Sequence, residues 1–208
     1  MGKIVISENV SLDGVVQDPT GEDGFRHGGW FVQVGDKDRE EWAQVALDEA
    51  LGAEALLLGR RSYEFFAGRW PSRSGELADR LNSLPKYVVS STLVDPDWNN
   101  STVLKGDVAN QVSKLKQELD GEIVVVASRK LVRTLLEHDL VDELRLMVFP
   151  VVLGTGKRLF GETSDLKTLR LTNSKVVGDG VAIFTYEPVP ARATAAAAPG
   201  SRASRSDR

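Results

Sequence analysis

The sequence predicts an α/β fold, a mostly parallel central sheet with helices on both faces and antiparallel strands at the C-terminal end. Three observations predict it. Short apolar runs alternate with amphipathic segments up to about residue 137, as they do where crossover helices join parallel strands. The runs at 55–58 and 122–126 are almost continuously apolar, as strands covered on both faces must be. From Glu143 onward helical spacing disappears and three long strand-like runs follow, the last two meeting at Gly178-Asp179-Gly180, a hairpin signal.

The elements follow in order. Residues 3–7 read as a buried strand. Residues 40–51 read as a helix with Trp42, Val45, Ala46 and Ala50 on one face. The strand 55–58 leads into a short helix at 61–67, and a helix at 76–81 precedes a strand at 86–90. Over 107–119, Val108, Val112, Leu115 and Leu119 form one helical stripe, and Asp107 stands where an N-cap belongs. Gly121 ends that helix, and 122–126 is a β-branched strand. Ser128 is positioned to cap a helix over 129–137 that buries Leu131, Leu135 and Leu136. Strands at 143–152, 168–177 and 181–186 complete the pattern, and no internal repeat is visible.

Composition narrows the function classes. A length of 208 residues suits one domain with a tail, and such a domain buries a core without staples. There is no cysteine, which excludes disulfides and thiolate metal sites. With only His27 and His138, no metal site is expected. The first residues carry no hydrophobic segment of signal-peptide or membrane-span length, so a soluble cytoplasmic protein with no membrane partner is expected. The net charge of -4 argues against bulk nucleic-acid binding. Residues 189–208 are mostly Ala, Ser, Arg and Pro, with four arginines against Asp207. Such a segment buries too little apolar surface to offset its ordering entropy. The folded domain is therefore expected at 1–188 and a disordered tail at 189–208, the alternative being an electrostatic arm for an acidic partner, nucleic acid included.

The segment Leu56-Leu57-Leu58-Gly59-Arg60-Arg61-Ser62-Tyr63 carries the strongest chemical signal. A strand delivers a glycine turn, two guanidinium groups and a helix N-terminus to one point. That combination suits a phosphate, because glycine admits close approach and guanidinium forks match phosphate oxygens. A plain strand-to-helix turn with surface-paired arginines fits the same residues.

The order of motifs resembles the dihydrofolate reductase-like superfamily, in the branch that contains the reductase domain of bacterial riboflavin biosynthesis and its stand-alone relatives. The motifs are Ser11-Leu12-Asp13-Gly14, Leu58-Gly59-Arg60-Arg61-Ser62-Tyr63, Val89-Ser90-Ser91-Thr92, Ile123-Val124-Val125-Val126, Val141-Asp142-Glu143-Leu144, and Pro150 to Gly156. The resemblance covers residues 3–187 and implies a three-layer dihydrofolate reductase-like fold and NADPH as cofactor. It implies that Gly59, Arg60, Arg61 and Ser62 meet the cofactor phosphates. Ser90, Ser91 and Thr92 would approach the adenosine ribose and its 2′-phosphate, and the backbone near Asn9 and Val16 would hold the nicotinamide carboxamide.

One departure stands out. Many of these reductases have Gly-Gly or Gly-Ser after the fifth strand, where this chain has Ala127-Ser128-Arg129. Each added Cβ occupies space beside the cofactor, so a changed cofactor pose, a different cofactor or lost catalysis all stay open.

For the substrate side, Asp13 is the candidate proton donor or pocket-mouth residue, although Asp13-Gly14 also reads as an ordinary turn. Trp30 is either a stacking platform for a flat heterocycle or core packing. Lys157 and Arg158, in Gly154-Thr155-Gly156-Lys157-Arg158, would contact a substrate phosphate on the family's placement. As an autonomous phosphate loop that stretch fails, because no helix follows it. The expected function is an NADPH-dependent reductase of a small heterocyclic or carbonyl-type substrate. The alternative is a non-catalytic nucleotide-binding protein of the same fold. A homodimer is left open.

Overall fold

The computed structural model describes residues 1–163 and 165–189. Of the expected tail only Val189 is described, its N–H donating to the Thr168 carbonyl; the remainder lies outside the described residues. The elements are β1 (Lys3–Ser11), α1 (Asp36–Gly52), β2 (Ala53–Gly59), α2 (Arg60–Ala67), α3 (Glu76–Ser83), β3 (Lys86–Val89), β4 (Ser101–Leu104), α4 (Val108–Glu118), β5 (Glu122–Val126), α5 (Arg129–Glu137), β6 (Glu143–Phe149), β7 (Leu169–Val177) and β8 (Val181–Pro188).

Among the described residues the strands form one sheet in the order β4-β3-β2-β5-β1-β6-β8-β7. All pairs from β4 to β6 are parallel, while β8 is antiparallel to both β6 and β7. Alternate residues of the central strands serve opposite faces, as the strand period of two requires. Ile4, Ile6, Leu57, Ile123 and Val125 pack with Val112 and Leu115 of α4 and Leu131, Val132 and Leu135 of α5. Val5, Leu56, Leu58 and Val124 pack on the other side with Tyr63, Leu84 and Trp98. A third cluster joins Trp30 and Val34 to Phe149, Val177, Val181 and Ile183, with Trp42 and Val45 of α1 against it. Helices α4 and α5 thus cover one face and α1, α2 and α3 the other, which is the three-layer dihydrofolate reductase-like arrangement. Each fully buried Leu or Ile contributes about 1.5–3 kcal/mol through removal of apolar surface from water.

The differences from expectation have physical causes. Strand β1 continues past Ser7 to Ser11 because β6 pairs with it as far as Ser11↔Phe149; Glu8 and Asn9 interrupt the apolar run but not the ladder. Helix α1 starts at Asp36 instead of Glu40. Its first-turn Asp38 is buried and accepts hydrogen bonds from the Asp179 and Gly180 N–H groups, so the polar opening of the helix is tied to the β7–β8 turn. Strand β4 lies at a sheet edge and buries none of its four residues, so its sequence carries no buried-strand pattern. Strand β6 stops at Phe149 because Pro150 has no N–H to donate. Asp107 does cap α4, accepting from the Asn110 N–H at 2.8 Å.

At the N-terminal end of the parallel strands, Arg145 of β6 ties the layers together. Its Nε donates to Glu143 at 2.5 Å, Nη1 to Glu49 of α1 at 3.1 Å, and Nη2 to Glu122 of β5 at 2.7 Å. Burial works against its charge, but the bonds to Glu122 and Glu143 and the charge of Glu49 outweigh it and raise the guanidinium pKa.

Candidate nucleotide-binding site

The candidate residues gather where the parallel strands end, the usual place for a ligand in an open α/β sheet. Strands β2 and β5 are neighbours, so the turns that follow them lie side by side. Two hydrogen bonds stitch them: the Ser62 hydroxyl donates to the Ala127 carbonyl at 2.7 Å, and the Gly59 N–H donates to Ser128 Oγ at 3.0 Å. The N-termini of α2 and α5 are thereby held together.

Ser128 does not cap its own helix, contrary to expectation: α5 has no side-chain cap at its N-terminus. The hydroxyl serves the β2–α2 turn instead, and the first N–H groups of α5 have no side-chain acceptor. Ala127 has φ 51°, in the left-handed region that favours glycine. The alanine holds a backbone shape that a glycine takes more readily. Ala127→Gly is expected to raise stability by about 1 kcal/mol, or roughly 2–4 °C in melting temperature for a domain of this size; a thermal melt checks it.

Charge at this junction is positive. Among the described residues neither Arg61 nor Arg129 has a carboxylate within ion-pair distance, although twelve ion pairs form elsewhere. Burial, together with the neighbouring charges of Arg133 and Arg61, lowers the pKa of Arg129. A cluster of like charges at helix N-termini is the kind of surrounding that favours an anion.

Arg60 points along the sheet toward β3. Its Nε donates to Glu64 at 2.7 Å and its Nη1 to the Thr92 hydroxyl at 2.5 Å. Beside it is an open cleft of about 370 Å³ lined by Arg60, Ser90, Ser91, Thr92, Gly106 and Val108, among others. Ser90 is buried, and its Oγ accepts from the Thr92 and Leu93 N–H groups. It shapes this turn, and the neighbouring Ser91 and Thr92 are exposed.

A family model for the RibD C-terminal domain matches residues 2–183. The chain belongs to that family. It is 27% identical over 190 residues to the uncharacterized protein YyaP of Bacillus subtilis, covering 88% of this chain and 94% of that protein. A putative riboflavin biosynthesis protein from Shewanella sp. PV-4 superposes with a TM-score of 0.72 at 23% identity, over 90% of this chain and 99% of that one. Dihydrofolate reductase from Enterococcus faecalis, complexed with NADP(H), superposes with a TM-score of 0.55 at 13% identity, over 89% and 96% of the two chains. The RibD C-terminal domain here is a reductase-type fold.

The expected substrate side of this RibD-type domain is arranged differently from the sequence expectation. Trp30 is fully buried and packs edge-on to Phe149 at 5.4 Å, with its Nε1 donating to the Gln17 carbonyl. It is a core residue, and a ring with no exposed face cannot stack on a ligand. Asp13 clasps two loops together. Its carboxylate accepts from the Ser11 hydroxyl at 2.7 Å and from the Leu153 and Gly154 N–H groups at 3.1 and 2.9 Å. Partial burial acts to raise its pKa, but these three donors outweigh it and hold the carboxyl below the usual range. It has no proton to give at neutral pH. Arg158 is drawn into the same clasp, with Nε donating to the Asp13 carbonyl at 2.8 Å and Nη2 3.5 Å from its carboxylate. Gly156, at φ 121°, lets this loop approach so closely that a Cβ would lie 2.7 Å from Val15. Lys157 is exposed, while its carbonyl accepts from the Val16 N–H, so the Val16 N–H is not free for a carboxamide. Asn9 Oδ1 accepts from Trp42 Nε1 at 2.9 Å, which anchors α1 over the end of β1.

Glu8 was not among the sequence candidates. It is 5% exposed, and its Oε1 has no hydrogen-bond partner. It follows Ile4 and Ile6 on the face covered by α5, one residue beyond the Ser7↔Val126 pair, and so lies beside the β5–α5 turn. Burial pushes its pKa up to about 8, against the partly compensating Ser128 and Ala127 N–H groups. The spacing Ile4, Ile6, Glu8, Val10 was the available signal, because it places a carboxyl on an inward-facing strand position.

Proposed function

We propose that the protein is an NADPH-dependent reductase that transfers hydride to a small heterocyclic or carbonyl-type substrate. The observation that carries this reading is the pair of stitched helix N-termini, with Arg61 and Arg129 in their first turns and without a carboxylate partner among the described residues. The donor set fits a dinucleotide. Arg61, Arg129 and the first N–H groups of α2 and α5 suit the pyrophosphate. Arg60, Ser91 and Thr92 suit a ribose 2′-phosphate. Going along the sheet, β3 and β4 hold the adenosine end and β2 and β5 the pyrophosphate, which leaves β1 for the nicotinamide, beside Asn9 and Val16. From β3 to β1 is three strand spacings, about 14 Å. When bound, the nicotinamide supplies the hydride; the chain's own residues fix the nucleotide and exclude water.

NADPH is expected to bind about ten- to a hundredfold more tightly than NADH, the worth of one charge-assisted contact. Titration of the intrinsic fluorescence of the four tryptophans measures both affinities, and equal values would remove the 2′-phosphate assignment.

The engagement of Asp13 favours a second reading, a nucleotide-binding protein without turnover. It predicts NADPH binding with no oxidation against a panel of carbonyl and heterocyclic acceptors.

A further inference from the structure

We infer that Glu8 makes this site sense the redox charge of the nicotinamide, its carboxylate favouring the oxidised, cationic ring and its neutral form the reduced one. The inference rests on the nucleotide placement proposed above. It begins from an anomaly of burial: a carboxyl with one oxygen unpartnered, on the central strand of the sheet. Buried polar groups are ordinarily satisfied, and an exception calls for a role.

Position supplies the role. Glu8 is at the C-terminal half of β1, the strand left for the nicotinamide once the adenosine end and the pyrophosphate lie over β3 and β2–β5. Its side chain is on the α5 face, next to the turn at Ala127 and Ser128. Few charges compete there. From the two helix N-termini come Arg61 and Arg129, which the nucleotide phosphates would neutralise. Asp13 and Arg158, on the loops after β1 and β6, neutralise each other. Arg145 pairs with Ser7, one residue before Glu8, but it and Glu49 belong to the opposite face of the sheet and are ion-paired with each other there. A nicotinamide cation in this surrounding meets one ionisable carboxyl, and in a low-dielectric site that interaction is strong.

Thermodynamic linkage gives the consequence. Burial holds the Glu8 proton up to about pH 8, so in this window NADP⁺ binding must displace it. NADPH carries no ring charge and displaces none. The 2′-phosphate also titrates, near pH 6, but it is common to both nucleotides and cancels when the two are compared.

The test is equilibrium binding of NADP⁺ and NADPH between pH 6 and 9, for the native protein and for Glu8→Gln, a neutral side chain of similar shape. The ratio of NADP⁺ to NADPH affinity is expected to rise with pH by up to tenfold per unit below about pH 8 and then level off. In Glu8→Gln it should be flat. Calorimetry of the native protein in two buffers of different ionisation enthalpy should find up to one more proton released with NADP⁺ than with NADPH near pH 7, and this arm needs no variant to fold. A flat ratio in the native protein, equal proton release for both nucleotides, or a slope that persists in Glu8→Gln would overturn the inference. If Glu8→Gln weakens both nucleotides equally, Glu8 is only a brace for the turn and the inference fails. Absence of binding by either nucleotide would instead overturn the dinucleotide reading on which it rests.

Discussion

Arg145→Ala is expected to lower stability by about 3 kcal/mol, on the order of 10 °C in melting temperature for a domain of this size. The reason is the three carboxylates left behind. Glu49, Glu122 and Glu143 come from α1, β5 and β6 and converge on one guanidinium. With it in place, each carboxylate has a charge-assisted partner. Without it, three like charges in a half-buried setting repel one another, and burial already raises the pKa of Glu49. Partial solvent access keeps the loss below the largest values known for broken buried pairs. Arg145→Lys should recover only part, since one ammonium cannot reach three partners along three edges. Chemical denaturation at neutral pH measures all three proteins. A loss below about 1 kcal/mol in Arg145→Ala would mean that the cluster is solvated and that the layers are held by apolar packing alone.

Arg61→Ala and Arg129→Ala are each expected to weaken NADPH binding by about ten- to a hundredfold, roughly 1.5–3 kcal/mol. Both should weaken NADH by a similar factor, because the proposed reading gives them to the pyrophosphate, which the two nucleotides share. Arg60→Ala should behave otherwise. It borders the cleft of Ser91 and Thr92, so its loss should weaken NADPH more than NADH. Stability should hardly change in any of the three, and removing Arg61 or Arg129 relieves repulsion within the cluster. Lysine replacements should restore part of the affinity, a point charge lacking the bidentate fork. If neither Arg61→Ala nor Arg129→Ala weakens either nucleotide, the positive junction is a surface feature and the dinucleotide reading loses its support.

Legibility in the sequence followed the range of the interactions. The helix over 107–119 was readable from one apolar stripe and one capping aspartate, both local. The strands at 55–58 and 122–126 were readable because parallel strands buried on both faces need apolar residues at every position. The glycine-arginine turn was legible as a candidate because its glycine, arginines and helix start are consecutive. Short or mixed segments were not. Strand β4 exists because β3 offers it an edge, and the polar opening of α1 is stabilised by a turn more than 130 residues away in sequence, as the Asp179 N–H to Asp38 bond records.

The sequence by itself determined the layered α/β architecture, the antiparallel end of the sheet and the strand-end location of the positive charge, because periodicity and turn chemistry are written in neighbouring residues. Tertiary structure alone decided what individual side chains do there. It made Trp30 a core residue, committed Asp13 to a loop clasp, and turned Ser128 from a cap of its own helix into an acceptor for Gly59. It also isolated one oxygen of Glu8 from any partner. The physical reason is that a polar side chain's role is set by which groups surround it after desolvation, and those groups come from strands and loops that only the folded sheet brings together.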